Sequence, residues 1–152
     1  MIKSLLVGYM GKIFFLLSLL GSLSVFSQSL DCEDFKDGIY YAEISEPINV
    51  KWKITRNGNQ QIEEVIELPE EAKKIGYPTE PQYQIIEWID DCTYHSKYDG
   101  TKFKLSQSQK MMNDNGGVLT KIVKVEGNCY YYVATLSMNG NQQKMEGKVC
   151  AE

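Results

Sequence analysis

Cys129 and Cys150 stand at equal distances, ten residues each, from the two ends of the dipeptide Asn139-Gly140. Asn-Gly between alternating apolar residues is the strongest short-range signal for a two-residue hairpin turn. A turn there folds 129–138 back on 141–150 and sets the two cysteines directly opposite one another. Met138 and Asn141 then form the hydrogen-bonded pair beside the turn. Nine steps outward the parity makes Cys129 and Cys150 a non-hydrogen-bonded pair, whose short Cα separation lies at the near end of disulfide geometry. The same register puts Tyr130, Tyr132, Ala134, Leu136 and Met138 on one face with Met145 and Val149. Cys129, Tyr131, Val133 and Thr135 fall on the other face with Lys144, Glu146 and Lys148, so the bridge is expected on the more polar, solvent-facing side.

Four cysteines allow three connectivities, and with Cys129 paired to Cys150, elimination joins Cys32 to Cys92. That second bridge ties the N-terminus to the middle of the sheet. In the chain-entropy view the two loops contribute at most roughly 3 and roughly 4 kcal/mol, the longer loop the more. No Cys-x-x-Cys pair occurs, which disfavours a metal site built on these thiols.

The remaining chain repeats the pattern of short period-two stretches separated by Asn, Asp and Gly, the mark of an antiparallel meander. Eight or nine strands are expected: 35–44, 50–56, 60–67, 83–89, 92–98, 101–106, 118–126, 129–138 and 141–150. In the second, Val50, Trp52 and Ile54 share a face. A three-residue turn at Asn57-Gly58-Asn59 would set Ile54 opposite Ile62 and Val50 opposite Ile66. Residues 68–81, with Pro69, Pro78 and Pro81, read as a long loop holding one helical turn. Asp99-Gly100 reads as a second tight hairpin, and 107–117 as a polar mobile loop. IDDCTY at 89–94 and EGNCYY at 126–131 form a faint internal echo. Without crossover helices, the strands pair with their sequence neighbours and close, or partly close, into an all-β up-and-down barrel.

Residues 1–27 read as an export leader: Lys3 and Lys12 are positive, Phe14 to Leu20 is apolar, and Val25-Phe26-Ser27 offers a cleavage site. Met10 is an equivalent start, since the chain from there to Gln28 is a complete leader. Leu5 to Phe26 is long enough to span a bilayer, but Lys12 in mid-span and the cleavage site argue for removal. The expected product is one domain, 28–152, a monomer exported to the periplasm or the exterior with no stable membrane span.

That domain carries 14 basic and 20 acidic residues over about 125 positions, a net charge of −6. Arg56 is its only arginine, the opposite of a phosphate-binding surface, so nucleic acid is not an expected partner. His95 is the only histidine, which rules out zinc sites built on several imidazoles and leaves one possible partner for a nucleophile. Its expected place is a strand surface. The acidic groups Asp31, Glu33, Asp34, Asp37 and Asp90-Asp91 read as solvated faces. No phosphate loop, nucleophile elbow or dinucleotide fingerprint occurs, so no catalytic residue, metal or cofactor is assigned and an enzyme is not expected. What remains is an aromatic set, Trp52, Trp88, Tyr94, Tyr130 and Tyr132, able either to line a cavity for a small apolar ligand or to fill the core.

CEDFKDGIYY (32–41), ITRNGNQQIE (54–63), EWIDDCTY (87–94) and VEGNCYYY (125–132) resemble a family of small exported Bacteroidetes proteins, and SVFSQ resembles the end of that phylum's leaders. The resemblance covers most of the mature domain and implies a lipocalin-like barrel. Some members carry an automatic DNA topoisomerase IV label, which an acidic domain of this size does not support. Two functions follow as expectations: a lipocalin-like module holding a small apolar ligand, or an envelope interaction module with a filled core. An enclosed cavity of about 300 Å³ or more favours the first, and a solid core with an exposed apolar patch favours the second.

Overall fold

The computed structural model describes residues 30–44, 49–138 and 140–152. The expected leader and Asn139 of the final turn lie outside the described residues. Eight strands follow in chain order: β1 (Gly38–Ile44), β2 (Val50–Asn57), β3 (Gln60–Glu67), β4 (Gln82–Trp88), β5 (Thr93–Tyr98), β6 (Val118–Glu126), β7 (Cys129–Met138) and β8 (Asn141–Ala151). Each pairs antiparallel with the next, and β8 returns to β1, giving a closed up-and-down barrel of lipocalin-like order. Closure leaves no free outer strand in the sheet. Two short helices, α1 (Glu70–Lys74) and α2 (Gln107–Asp114), sit in connections.

The final hairpin keeps the expected register, with Met138 opposite Asn141 and Cys129 opposite Cys150. Both disulfides are formed, Cys32–Cys92 and Cys129–Cys150, with Cα separations of 5.0 and 3.9 Å. The second is less exposed than expected, Cys129 being 8% accessible. β1 lies against Cys150 on its other side, and Asn128 is hydrogen-bonded to Ala151 in both directions, so the bridge is covered more than a two-stranded ribbon would leave it.

Three expectations are corrected. The turn after β2 has two residues, Gly58 and Asn59, with Asn57 opposite Gln60. Ile54 therefore faces Glu63 and Thr55 faces Ile62, a one-residue slip that turns Ile62 and Ile66 outward and leaves Ile66 49% exposed. Gly58 supplies the positive φ, and its N–H donates to Asp37 Oδ1 at 2.5 Å, fixing the turn from outside the hairpin. Residues 101–106 form no strand. Asp99 Oδ1 accepts from the Thr101 N–H (2.9 Å) and hydroxyl (2.6 Å), an Asx turn that diverts the chain. Residues 107–114 are helical rather than loop, started by a capping box in which the Gln109 N–H donates to Ser106 Oγ and the Ser106 N–H to Gln109 Oε1.

The two ends of the barrel differ. Both disulfides and the turns carrying the Cys92 and Cys129 echo sit at one end, with a 3-10 turn at Glu33–Phe35 laid across it. Phe35 is fully buried there, its ring 5.7 Å from Tyr40 and 4.9 Å from Tyr130. Together with Ile54, Ile122 and Val149 these rings form the core and seal that end. The other end carries the long connections with α1 and α2.

Replacing Cys32 and Cys92 by serine should cost about 4 kcal/mol and replacing Cys129 and Cys150 about 3 kcal/mol. Urea unfolding checks the order. Only the first pair should also raise amide exchange at Phe35 and Tyr40, because it releases the segment that carries the seal.

Candidate functional site

Strand alternation delivers a polar interior beside the sealed end. Arg56 continues the inward face of Val50, Trp52 and Ile54, and the slipped β3 register turns Gln61, Glu63 and Val65 toward it. The guanidinium is 3% exposed. Its Nε donates to Gln61 Oε1 (2.7 Å), one Nη to the Phe35 carbonyl (2.8 Å), and the other to the hydroxyls of Tyr94 (2.6 Å) and Tyr130 (2.9 Å). The rings of Tyr94, Tyr40, Tyr130 and Trp88 lie 4.7 to 5.7 Å from its central carbon. A planar five-donor cation suits such a cage, where hydrogen bonds take four of its donors and aromatic rings surround it. Burial pushes the Tyr130 phenol well above its ordinary range, against the pull of Arg56, so Tyr130 stays neutral.

Gln61 passes the connection on: its Nε2 donates to Glu63 Oε1 at 2.7 Å and lies 3.3 Å from Gln84 Oε1. Glu63 faces the open half. Burial raises its carboxyl above the usual range, opposed by the charge of Arg56 and the amides of Gln61 and Gln84. The phenols of Tyr77 and Tyr98 are raised by burial and then by the negative charge of Glu63, and Tyr132 by burial, Tyr94 and Glu63. Three phenols thus share the field of one carboxylate.

Above Glu63 the barrel holds a half-open cavity of about 770 Å³. Trp52, Ile54, Tyr98 and Tyr132 form its wall, and Tyr77, Pro78 and Met112 reach over it from the two long connections. Trp52 stacks at a tilt 6.0 Å from Tyr77, and its indole N–H is buried without a partner among the described residues. α2 is held in place because Asn113 exchanges two hydrogen bonds with the Tyr98 backbone (2.9 and 2.8 Å) and Gln109 donates to Gln82 (2.5 Å). On one side the β1–β8 ladder runs only from Tyr40↔Ala151 to Ala42↔Val149. Glu43 and Ile44 on one lip, and Met145 to Lys148 on the other, border the cavity there. Gly147 is matched to this place, since a Cβ would lie 2.5 Å from the Tyr132 ring.

The five aromatic candidates divide between the two halves. Trp52 and Tyr132 line the cavity, while Trp88, Tyr94 and Tyr130 belong to the Arg56 cage at the sealed end. His95 lies on β5 beside Glu87 and Leu119, away from the cavity lining. Of the acidic groups, Asp37 anchors Gly58, Asp34 accepts from the Asp31 N–H, and Asp91 pairs with Lys36 at 2.6 Å. Among the described residues no cluster of His, Cys, Asp and Glu has metal-ligand geometry. Sequence reading passed over Arg56 and Glu63 as site residues, although Arg56 continues the period-two face of Trp52 and Ile54. No known protein family, curated protein or solved structure matches this chain.

Because the folded carboxyl of Glu63 holds its proton more tightly than an unfolded one of ordinary value 4.5, its stabilising contribution is full below that value. It is lost as pH rises through the raised value. Glu63→Gln should therefore gain stability relative to the parent as pH climbs from about 4.5 toward neutrality, read from urea midpoints across that range.

Proposed function

We propose that this is an exported, non-enzymatic, lipocalin-like binding protein for a small apolar ligand, related to the small Bacteroidetes family its motifs resemble. The observation that carries the reading is the cavity itself. It is half-open rather than enclosed as expected, but its volume of about 770 Å³ falls within the range of small-molecule sites, and its wall is aromatic and aliphatic with a few convergent polar groups. Two formed disulfides match an oxidising compartment, as expected of a periplasmic or extracellular protein. No helix among the described residues is long and apolar enough to cross a membrane. The division of the aromatics supports the same reading: one group spends its surface on a sealed core, and the other leaves space.

The rival reading, an envelope interaction module, rests on the outer wall, where Ile39, Thr55, Ile62 and Tyr83 stand in one cross-strand row with Ile85 beside it. Ile39 and Ile85 are exposed. A filled core, the other half of that reading, holds only for the sealed end.

An apolar fluorescent probe such as N-phenyl-1-naphthylamine should bind saturably with one site per chain and quench tryptophan emission. Ala42→Phe, which adds a ring to the cavity wall, should weaken that binding about tenfold or more at unchanged fold, as circular dichroism would report. Absence of saturable binding in the parent would count against the ligand reading.

A further inference from the structure

The cavity's polar end has a definite sign. Glu63 is an acceptor-only group when ionised, one oxygen bonded to Gln61, and among the described residues no lysine or arginine forms an ion pair with it. Arg56, the one buried cation among the described residues, has four of its five donors bound to Gln61, Phe35, Tyr94 and Tyr130, and it is not part of the cavity wall. Its attraction reaches Glu63 through the Gln61 amide rather than by contact. A ligand entering from the open end therefore meets a carboxylate and not the guanidinium.

Around that carboxylate stand π faces. Trp52, Tyr77, Tyr98 and Tyr132 all border the cavity with Glu63, and Trp52 and Tyr77 lie 6.0 Å apart at 56°. Aromatic rings grouped about one carboxylate suit a cation, since each ring face adds attraction and a carboxylate accepts charge-assisted hydrogen bonds. Ile54, Met112 and Pro78 supply the apolar remainder. At the mouth, Glu43 and Glu146 outnumber Lys148. An anionic headgroup finds no lysine or arginine among the residues lining the interior, and two carboxylates against one lysine at the mouth.

Building on the ligand-binding reading, we infer that the cavity takes an apolar molecule bearing a protonated amine, with the ammonium paired to Glu63 among Trp52, Tyr77, Tyr98 and Tyr132 and the apolar body toward Met112 and the β1–β8 lips. The buried Trp52 N–H, which has no partner among the described residues, can serve an acceptor on the same ligand.

Three probes of equal chain length test this on the disulfide-bonded protein: decylamine, decanol and decanoate, each below its micelle concentration, followed by calorimetry or by displacement of N-phenyl-1-naphthylamine. Decylamine should bind about tenfold or more tighter than decanol, and decanoate more weakly than either. In Glu63→Gln, similar in shape and checked for its fold by thermal unfolding, the advantage of decylamine over decanol should fall to about twofold or less. The comparison within the parent protein needs no variant. An amine that binds no better than the alcohol, or an advantage that survives in Glu63→Gln, overturns the inference. If the naphthylamine probe and all three alkyl ligands fail to bind, the ligand-binding reading falls with it. If the naphthylamine probe or decanol binds without amine preference, only the headgroup assignment falls.

Discussion

A guanidinium inside a β-barrel must be given partners on all sides, and much of this structure can be read as the answer to that demand. Taking Arg56 out of water costs several kcal/mol unless its donors are met, and breaking such a site by removing one partner is strongly destabilising. Gln61 can reach Nε only if β3 pairs with β2 through a two-residue turn. That register exposes Ile66 and turns Ile62 outward, a loss of apolar burial that the polar network offsets. Phe35 reaches Nη with its backbone carbonyl while its ring packs on Tyr130. The plug at the sealed end and the buried charge beside it thus hold each other, and the Cys32–Cys92 bridge keeps the plug beside the wall it closes.

This arrangement separates stability from the site. Around Arg56 the sealed end of the barrel is packed with rings, aliphatic side chains and two disulfides. Above it the side chains withdraw, and the space is bounded by elements attached through a few polar contacts, such as α2 on the Tyr98 backbone. Residues on connections carried by a rigid sheet can change without disturbing the core. Tyr77, Pro78 and Met112 belong to that class, whereas Trp52 and Tyr132 are fixed by strands.

Much of the fold was legible in the residues. Equal spacing of Cys129 and Cys150 about Asn139-Gly140 is an arithmetic constraint that a hairpin satisfies in one register, and the second bridge followed from it. The β2–β3 register was less legible, because Asn57-Gly58-Asn59 serves turns of two or three residues and apolar matching favoured the wrong one. What decided it was a polar partner for Arg56, which matching of hydrophobic faces does not weigh. α2 was hidden by its polar composition, though Ser106 and Gln109 carry the capping-box spacing. At Asp99-Gly100 a side-chain turn outcompeted the hairpin that the dipeptide alone suggests. Of the candidate site, Trp52 and Tyr132 were in view from the start. Glu63 could not be, since its inward position exists only in the slipped register.

The Arg56 cage closes one end of the barrel and leaves the other receptive, and the two tryptophans report on one end each. The most direct measurement is a nitrogen–proton correlation spectrum of the labelled protein during titration with an apolar probe. Division predicts that the Trp52 indole resonance shifts progressively, while those of Trp88 and of the Arg56 Nε–H stay in place and exchange slowly with solvent. Equal shifts at both indoles, or a freely exchanging Arg56 Nε–H, would contradict it.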